Sequence, residues 1–330
     1  MKLERLLVLL FALCCARRAI AEATPRPGPL AVNVAALAAS RERLYVGSFD
    51  QGLFIVERDG HAHAFQDRAL NAHINALAWS ESAQLLWVGT ARGLLRCSMK
   101  QPAGCRRIGL SRAVHALHLG STGELVAGGD AGLTFVQGDA LRVFGKKQGA
   151  PFHSVWALAE RDGTWFVGST NGLFWGQPAS FAPNGALQRA SLVQGDLPDD
   201  WVTALLPQGD RLYVGTYNAG VTRFRVEGPA LTAEVTDLEP GYVNPAGIVT
   251  LDSGELAIAS MDGLRQGALT QTRRLGSLAR DVTAVARAID GGYWLGTRQG
   301  LEKADELRTA LTKFPQRPGS PDAETWAPNK

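Results

Sequence analysis

The sequence predicts an all-β fold, a seven-bladed β-propeller of four-stranded antiparallel blades. Three observations carry that expectation. One short phrase recurs seven times along the 330 residues, its copies begin 36–47 residues apart, and each copy has the composition of sheet rather than helix. The clearest copy spans 202–221, VTALLPQGDRLYVGTYNAGV. It reads as a compact apolar strand V-x-A-L, a polar turn, a second strand ending in aromatic-Val-Gly-Ser/Thr, a Gly-closed turn and a third strand.

The first strands are expected to begin at Val34, Ile74, Val114, Val155, Val202, Ala246 and Val282, in steps of 40, 40, 41, 47, 44 and 36 residues. The second strands end at Gly47, Gly89, Gly128, Gly168, Gly215, Ala259 and Gly296. A glycine there suits a close approach of chains near a narrow centre, where a side chain would clash. Two residues earlier stand Tyr45, Trp87, Val126, Phe166, Tyr213, Ala257 and Trp294. Aromatic side chains at this register are expected to pack between neighbouring sheets. Ser48, Thr90, Ser169, Thr216, Ser260 and Thr297 follow the small residue, and their hydroxyls can satisfy backbone groups of the turn.

Third strands start near Leu53, Leu94, Leu133, Leu173, Val221, Leu264 and Leu301, and weaker fourth strands such as HAHAFQ, CRRIG, LRVFG and AEVTDL follow. The blades fall at 34–68, 74–109, 114–145, 155–194, 202–239, 246–276 and 282–313. Packing such sheets radially buries both faces of each and closes the ring. Residues near 26–33 beside blade seven, or simple face-to-face packing, would complete it.

Residues 1–21 read as an export signal: Lys2 and Arg5, then an 11-residue apolar run over 6–16, then Ala19-Ile20-Ala21 as a small-x-small cleavage site. The run is too short for a stable transmembrane anchor. The propeller is then expected over 22–313, with a polar, Pro-rich tail at 314–330. The leader holds four of the 34 basic and one of the 31 acidic residues, so 22–330 has 30 of each and is formally neutral. Neutrality argues against nucleic-acid binding, which needs a basic footprint. Two cysteines follow the leader, Cys97 and Cys105, flanking a turn between adjacent strands. A disulfide is expected in an oxidising compartment. Without a Cys-x-x-Cys pair or a histidine cluster beside them, they do not suggest a metal site.

The phrase V-x-A-L … L-x-V-G-T-x-x-x-G-L, best preserved in VTALLPQGDRLYVGTYNAGVTRFR and VTAVARAIDGGYWLGTRQGL, resembles the two-component regulator propeller repeat. The resemblance covers about 34–305. It implies a seven-bladed sensor-type propeller, exported or periplasmic. It is specific for the repeat and weak for activity, because the repeat residues are structural. A kinase, a DNA-binding module and a second membrane helix are missing from the pattern, so a separate partner would carry any signal.

Function on a propeller resides in loops displayed around its channel. The second-to-third turns and the entries to the first strands share one rim. From them we select Trp201, Tyr217, Asn218, Tyr242, Asn244, Arg92, Arg298 and Asp262 as candidate binding residues. Aromatic rings supply apolar area with a polar handle, and amides and charges orient a ligand. The expected partner is an envelope or extracellular protein, peptide or glycan, bound noncovalently in the periplasm or outside the cell, with no cofactor. The alternative is a lyase or hydrolase acting on a carbohydrate, peptide or lactone-like substrate at the channel mouth. His73 and His153 with Asp130 or Asp281 could imitate a metal centre, but no recognisable histidine motif accompanies them. Asp199-Asp200 is a further weak cation candidate.

Overall fold

The structure is a computed structural model that describes residues 26–100, 103–109, 111–120, 123–275 and 281–304. The expected leader at 1–21, the tail at 314–330 and the end of blade seven at 305–313 lie outside the described residues. Seven four-stranded antiparallel sheets form the ring. Six blades are built from consecutive strands; blade one, for example, is Val34–Ala39, Arg43–Ser48, Leu53–Glu57 and Ala62–Ala64. In blade seven, Val282–Arg287, Tyr293–Thr297 and Leu301–Ala304 are completed by the N-terminal strand Arg26–Pro27. The ring is therefore closed by the first of the two routes open to the sequence. Gly28 N–H donates to the Leu301 carbonyl at 2.7 Å, and Leu301 N–H to the Leu30 carbonyl at 3.0 Å.

Each first strand lies innermost and packs against its neighbours around a narrow channel. Seven apolar clusters hold the blades together, one at each interface. The aromatic register behaves as expected. Tyr45 packs with Ile74, Leu86 and Val88 of blade two, and Phe166 with Val202, Leu212 and Phe224 of blade five.

The glycine series marks the tightest approach. A Cβ added to Gly128 would lie 2.4 Å from Val155 Cγ1, and one added to Gly168 would lie 2.5 Å from Val202 Cγ1. In each case the obstacle is the first valine of the next blade. The hydroxyl series also does as expected: Thr90, Ser169, Ser260 and Thr297 donate to the carbonyls of their closing glycines at 2.8–3.0 Å.

Blade six corrects the expected start at Ala246. Its first strand is Val243–Thr250, and buried Val243 pairs with Ser260 in the register that Val34 shares with Ser48. Counted from Val243, the steps from Val202 and to Val282 become 41 and 39 residues. The next paired residue is Ile248, so 244–247 form a wide bulge that interrupts the V-x-A-L phrase. Gly247 precedes Ile248 where other blades carry alanine, and Ala259 takes the place of the second-strand glycine. Small and smallest residues have exchanged strands.

Cys97 and Cys105 face each other across the outer strands of blade two and are disulfide-bonded. The loop between them is short. Replacing both with serine is expected to lower stability by about 2–3 kcal/mol, read as a lower urea midpoint with unchanged far-UV circular dichroism.

Candidate functional site

Strand direction places the second-to-third turns and the links between blades on one rim, here the entry rim. The first-to-second and third-to-fourth turns occupy the opposite rim. One backbone bond builds the entry rim repeatedly. The residue after the Ser/Thr, or after Gly129 in blade three, donates its N–H to the carbonyl of the residue before the first strand. The pairs are Phe49 to Asn33, Ala91 to His73, Asp130 to Ala113, Thr170 to Ser154 and Tyr217 to Trp201, at 2.9–3.1 Å. Each of these five blades so displays a dyad, and the residue types in the dyad decide its chemistry. In blade seven it is an ion pair, Arg298 with Asp281.

A second device aims side chains at the channel. Six first strands carry a one-residue bulge just after the leading Val or Ile. Such bulges redirect a side chain. The extra residues Ala35, Asn75, His115 and Trp156 line the channel, whose cavity is about 120 Å³. At blades two, five and seven the extra residue is a staple to the next blade. Asn75 Nδ2 donates to the Val114 carbonyl at 3.0 Å, Thr203 Oγ1 to Val243 at 2.6 Å and Thr283 Oγ1 to Val34 at 2.8 Å. In blades three and four His115 and Trp156 stack on each other instead, with ring centroids 4.1 Å apart.

That stack begins an aromatic arc. Trp156 meets Trp201 edge-to-face at 5.4 Å, Trp201 stacks on Tyr217 at 4.2 Å, and Tyr217 meets Tyr242 edge-to-face at 4.8 Å. Asp199 fixes its centre: Oδ1 accepts from Trp201 N–H at 3.1 Å, and Oδ2 from Asn218 N–H at 2.8 Å. Asp200 Oδ1 accepts from Leu192 N–H at 2.8 Å. Both members of the acidic pair thus organise the loop. Burial, then the neighbouring Tyr217 and Asp281, push the Tyr242 phenol above its ordinary range, so it remains protonated at neutral pH.

The indole Nε1 atoms of Trp156 and Trp201 are buried and donate to no acceptor, and Asp281 Oδ1 is a buried acceptor without a donor. An unsatisfied buried polar group costs roughly 1–3 kcal/mol. Three such atoms on one rim define unfilled hydrogen-bonding capacity.

Trp201, Tyr217, Asn218 and Tyr242 are brought together as expected, with Asp262 and Arg298 on the following turns. Arg92 stands across the ring on blade two, beside a separate cavity that it shares with Asp50, Asp67 and His73. Asn244 is reassigned. It is buried, and its Nδ2 donates to the Val282 carbonyl at 2.5 Å, which makes it the staple between blades six and seven. Asn244→Ala is expected to reduce stability by about 1–3 kcal/mol in urea denaturation and to leave rim recognition unchanged. His115 and Trp156 are absent from the sequence-derived set. Their signal was the x of V-x-A-L, where a ring replaces the usual short side chain.

The histidine pairing also differs from expectation. Asp130 partners His115, not His73 or His153, and His73 stacks on Phe49. Ser154 Oγ lies 2.5 Å from Asp130 Oδ1, and His115 Nε2 lies 3.0 Å from the same oxygen. Burial would raise the Asp130 carboxyl, but the Ser154 and His115 hydrogen bonds outweigh it and hold the group below the usual range. Because both partners converge on one carboxylate oxygen, His115 is not placed as a base for Ser154. Among the described residues no three His, Cys, Asp or Glu side chains gather as a metal site.

No protein-family model matches the sequence, and no curated protein matches it. Solved structures do match in fold. One is described as the extracellular domain of a one-component system from B. thetaiotaomicron, with TM-score 0.71, 18% identity, and coverage of 85% of this chain and 40% of that one. Another is described as the extracellular domain of a hybrid two-component system from the same organism, with TM-score 0.67, 13% identity, and coverage of 82% and 40%. This chain thus spans about two fifths of the length of those structures. The WD40 propeller domain of Doa1 matches with TM-score 0.65 and 13% identity over 88% of this chain and 99% of that one. The resemblance to sensor-type propellers holds at the level of fold. No helix among the described residues is long and apolar enough to cross a membrane.

Proposed function

We propose that this propeller is a noncovalent recognition module of the cell envelope, of sensor or scaffold type, whose ligand or protein partner covers the channel mouth at blades three to six. The observation that carries this reading is the arc from His115 to Tyr242 with its two unpartnered indole donors. The channel beneath is too narrow to take a large ligand inside, so binding occurs on the rim. A ligand that offers acceptors to Trp156 and Trp201 relieves an existing penalty as well as covering apolar area. The leader-like N-terminus and the likeness to extracellular sensor domains support an envelope setting.

The test is affinity capture from the native envelope with the full chain, beside a Trp201→Ala/Tyr217→Ala variant of unchanged circular dichroism. The wild type is expected to retain a ligand or partner that the variant loses, with affinity reduced on the order of a hundredfold or more. Equal retention by both would overturn the rim assignment.

A further inference from the structure

The described residues expose five large apolar side chains: Phe49, Leu192, Val193, Leu238 and Met261. All five stand on the entry rim. Phe49 and Met261 lie on second-to-third turns, and the other three on links between blades. Four of them fall in the sector from blade four to blade six. Val193 is 89% exposed, Leu238 62% and Leu192 54%. They flank the loops that present Trp201 and Tyr217.

The Leu192–Val193 loop is held in this form. Ser191 Oγ bonds Gln194 Oε1, Asp196 and Leu197 N–H both donate to the Ser191 carbonyl, and Leu197 is buried. The same loop therefore buries one leucine and presents another with a valine to solvent. The strip runs inward from the outer strand Gln188–Ala190 to Trp201, which precedes the innermost strand of blade five. That is the width of a four-stranded sheet, roughly 14 Å, or about four residues of extended chain.

Charge narrows the occupant. The sector's entry-rim loops, 191–200, 217–220, 237–242 and 261–262, hold Asp196, Asp199, Asp200, Asp237, Glu239 and Asp262 and no lysine or arginine. Hydrogen bonds from backbone N–H groups orient several of these carboxylates without cancelling their charge. Two arginines from neighbouring strands reach this sector: Arg265 pairs with Glu239 at 3.0 Å and also bonds Thr272, and Arg189 donates to the Asn171 carbonyl at 2.9 Å; against six carboxylates they leave the sector acidic. An apolar strip within a carboxylate field repels anionic lipid and favours a basic partner. The Trp156 and Trp201 indole N–H groups have no protein acceptor, and a peptide carbonyl is an acceptor of the matching kind once the ring turns to meet it.

We infer that the entry rim between blades four and six docks an extended segment of a partner protein that carries apolar side chains interspersed with lysine or arginine. This rests on the recognition reading above and names the partner chemistry of that site.

The test is selection of a displayed library of short random peptides on the full chain, followed by calorimetry with synthetic copies of the enriched sequences. Enrichment of apolar-basic peptides is expected. Their binding should weaken as salt rises, and should fall about tenfold in Val193→Ser/Leu238→Ser and in Trp201→Phe, which keeps a ring but removes the indole donor. Failure to enrich peptides, or enrichment of acidic ones, would overturn the inference. Peptides lost by Trp201→Ala/Tyr217→Ala but retained by Val193→Ser/Leu238→Ser would overturn it and leave rim recognition standing. Retention by all variants would overturn both. Flotation with phosphatidylethanolamine–phosphatidylglycerol vesicles in place of peptide binding would assign the strip to lipid and overturn the protein partner.

Discussion

Gly168→Val is expected to destabilise the protein by roughly 3 kcal/mol, seen as a marked fall in the urea midpoint at unchanged slope. A Cβ at this position meets Val202 Cγ1 at 2.5 Å and Val202 Cβ at 3.1 Å on the next blade, and Ala157 Cβ at 3.0 Å on its own. Valine is β-branched and held at the start of a buried strand, so it cannot swing away. The added side chain must wedge two blades apart at the centre of the ring, where displacement is passed to every interface. Blade six shows how a larger residue is accommodated: Ala259 is matched by Gly247 and a widened first strand. Blade four has neither. An unchanged midpoint for Gly168→Val would mean that the inner strands are not packed as closely as described.

Deleting 26–31 is expected to remove about 3–5 kcal/mol and to turn one cooperative unfolding transition into two. The deletion takes away the outer strand of blade seven and both Gly28–Leu301 and Leu301–Leu30 backbone bonds. Each such bond contributes about 1 kcal/mol net, and the half-buried Leu30 side chain adds apolar contact with the cluster between blades seven and one. The larger consequence is topological. The segment precedes blade one in sequence and belongs to blade seven in space, so it ties the ends of the ring together. Without it the edge of Leu301–Ala304 is open, a site for fraying and for pairing with another chain. Calorimetry of the deleted chain measures this directly, and a single transition at the wild-type temperature would contradict the proposed role of closure.

The ring was legible because its stabilising contacts repeat. Gly168 against Val202 and Tyr45 against Leu86 are single copies of two contacts that recur from blade to blade, and repetition survives divergence in any single blade. Blade six was misplaced because Pro245 and Ala246 enlarge a bulge, and a bulge leaves no periodic trace. At the site, Trp201, Tyr217 and Tyr242 were legible because large aromatic rings are unusual in turns, where nothing about the repeat requires them. His115 and Trp156 were hidden because they lie within strands, where rings are ordinary; only the bulge turns them to the channel. Asn244 misled for the opposite reason. An amide at a strand entry looks like a turn residue, and its burial against the Val282 carbonyl depends on a neighbour 38 residues away.

Hydrogen–deuterium exchange, with and without the ligand or partner recovered by capture, tests the rim assignment most directly. Protection is expected over 191–201, 217–220 and 237–243, with the opposite rim unchanged. Protection confined to the opposite-rim turns at 209–210 and 227–230, with the loops around Trp201 and Tyr217 exchanging freely, would contradict it.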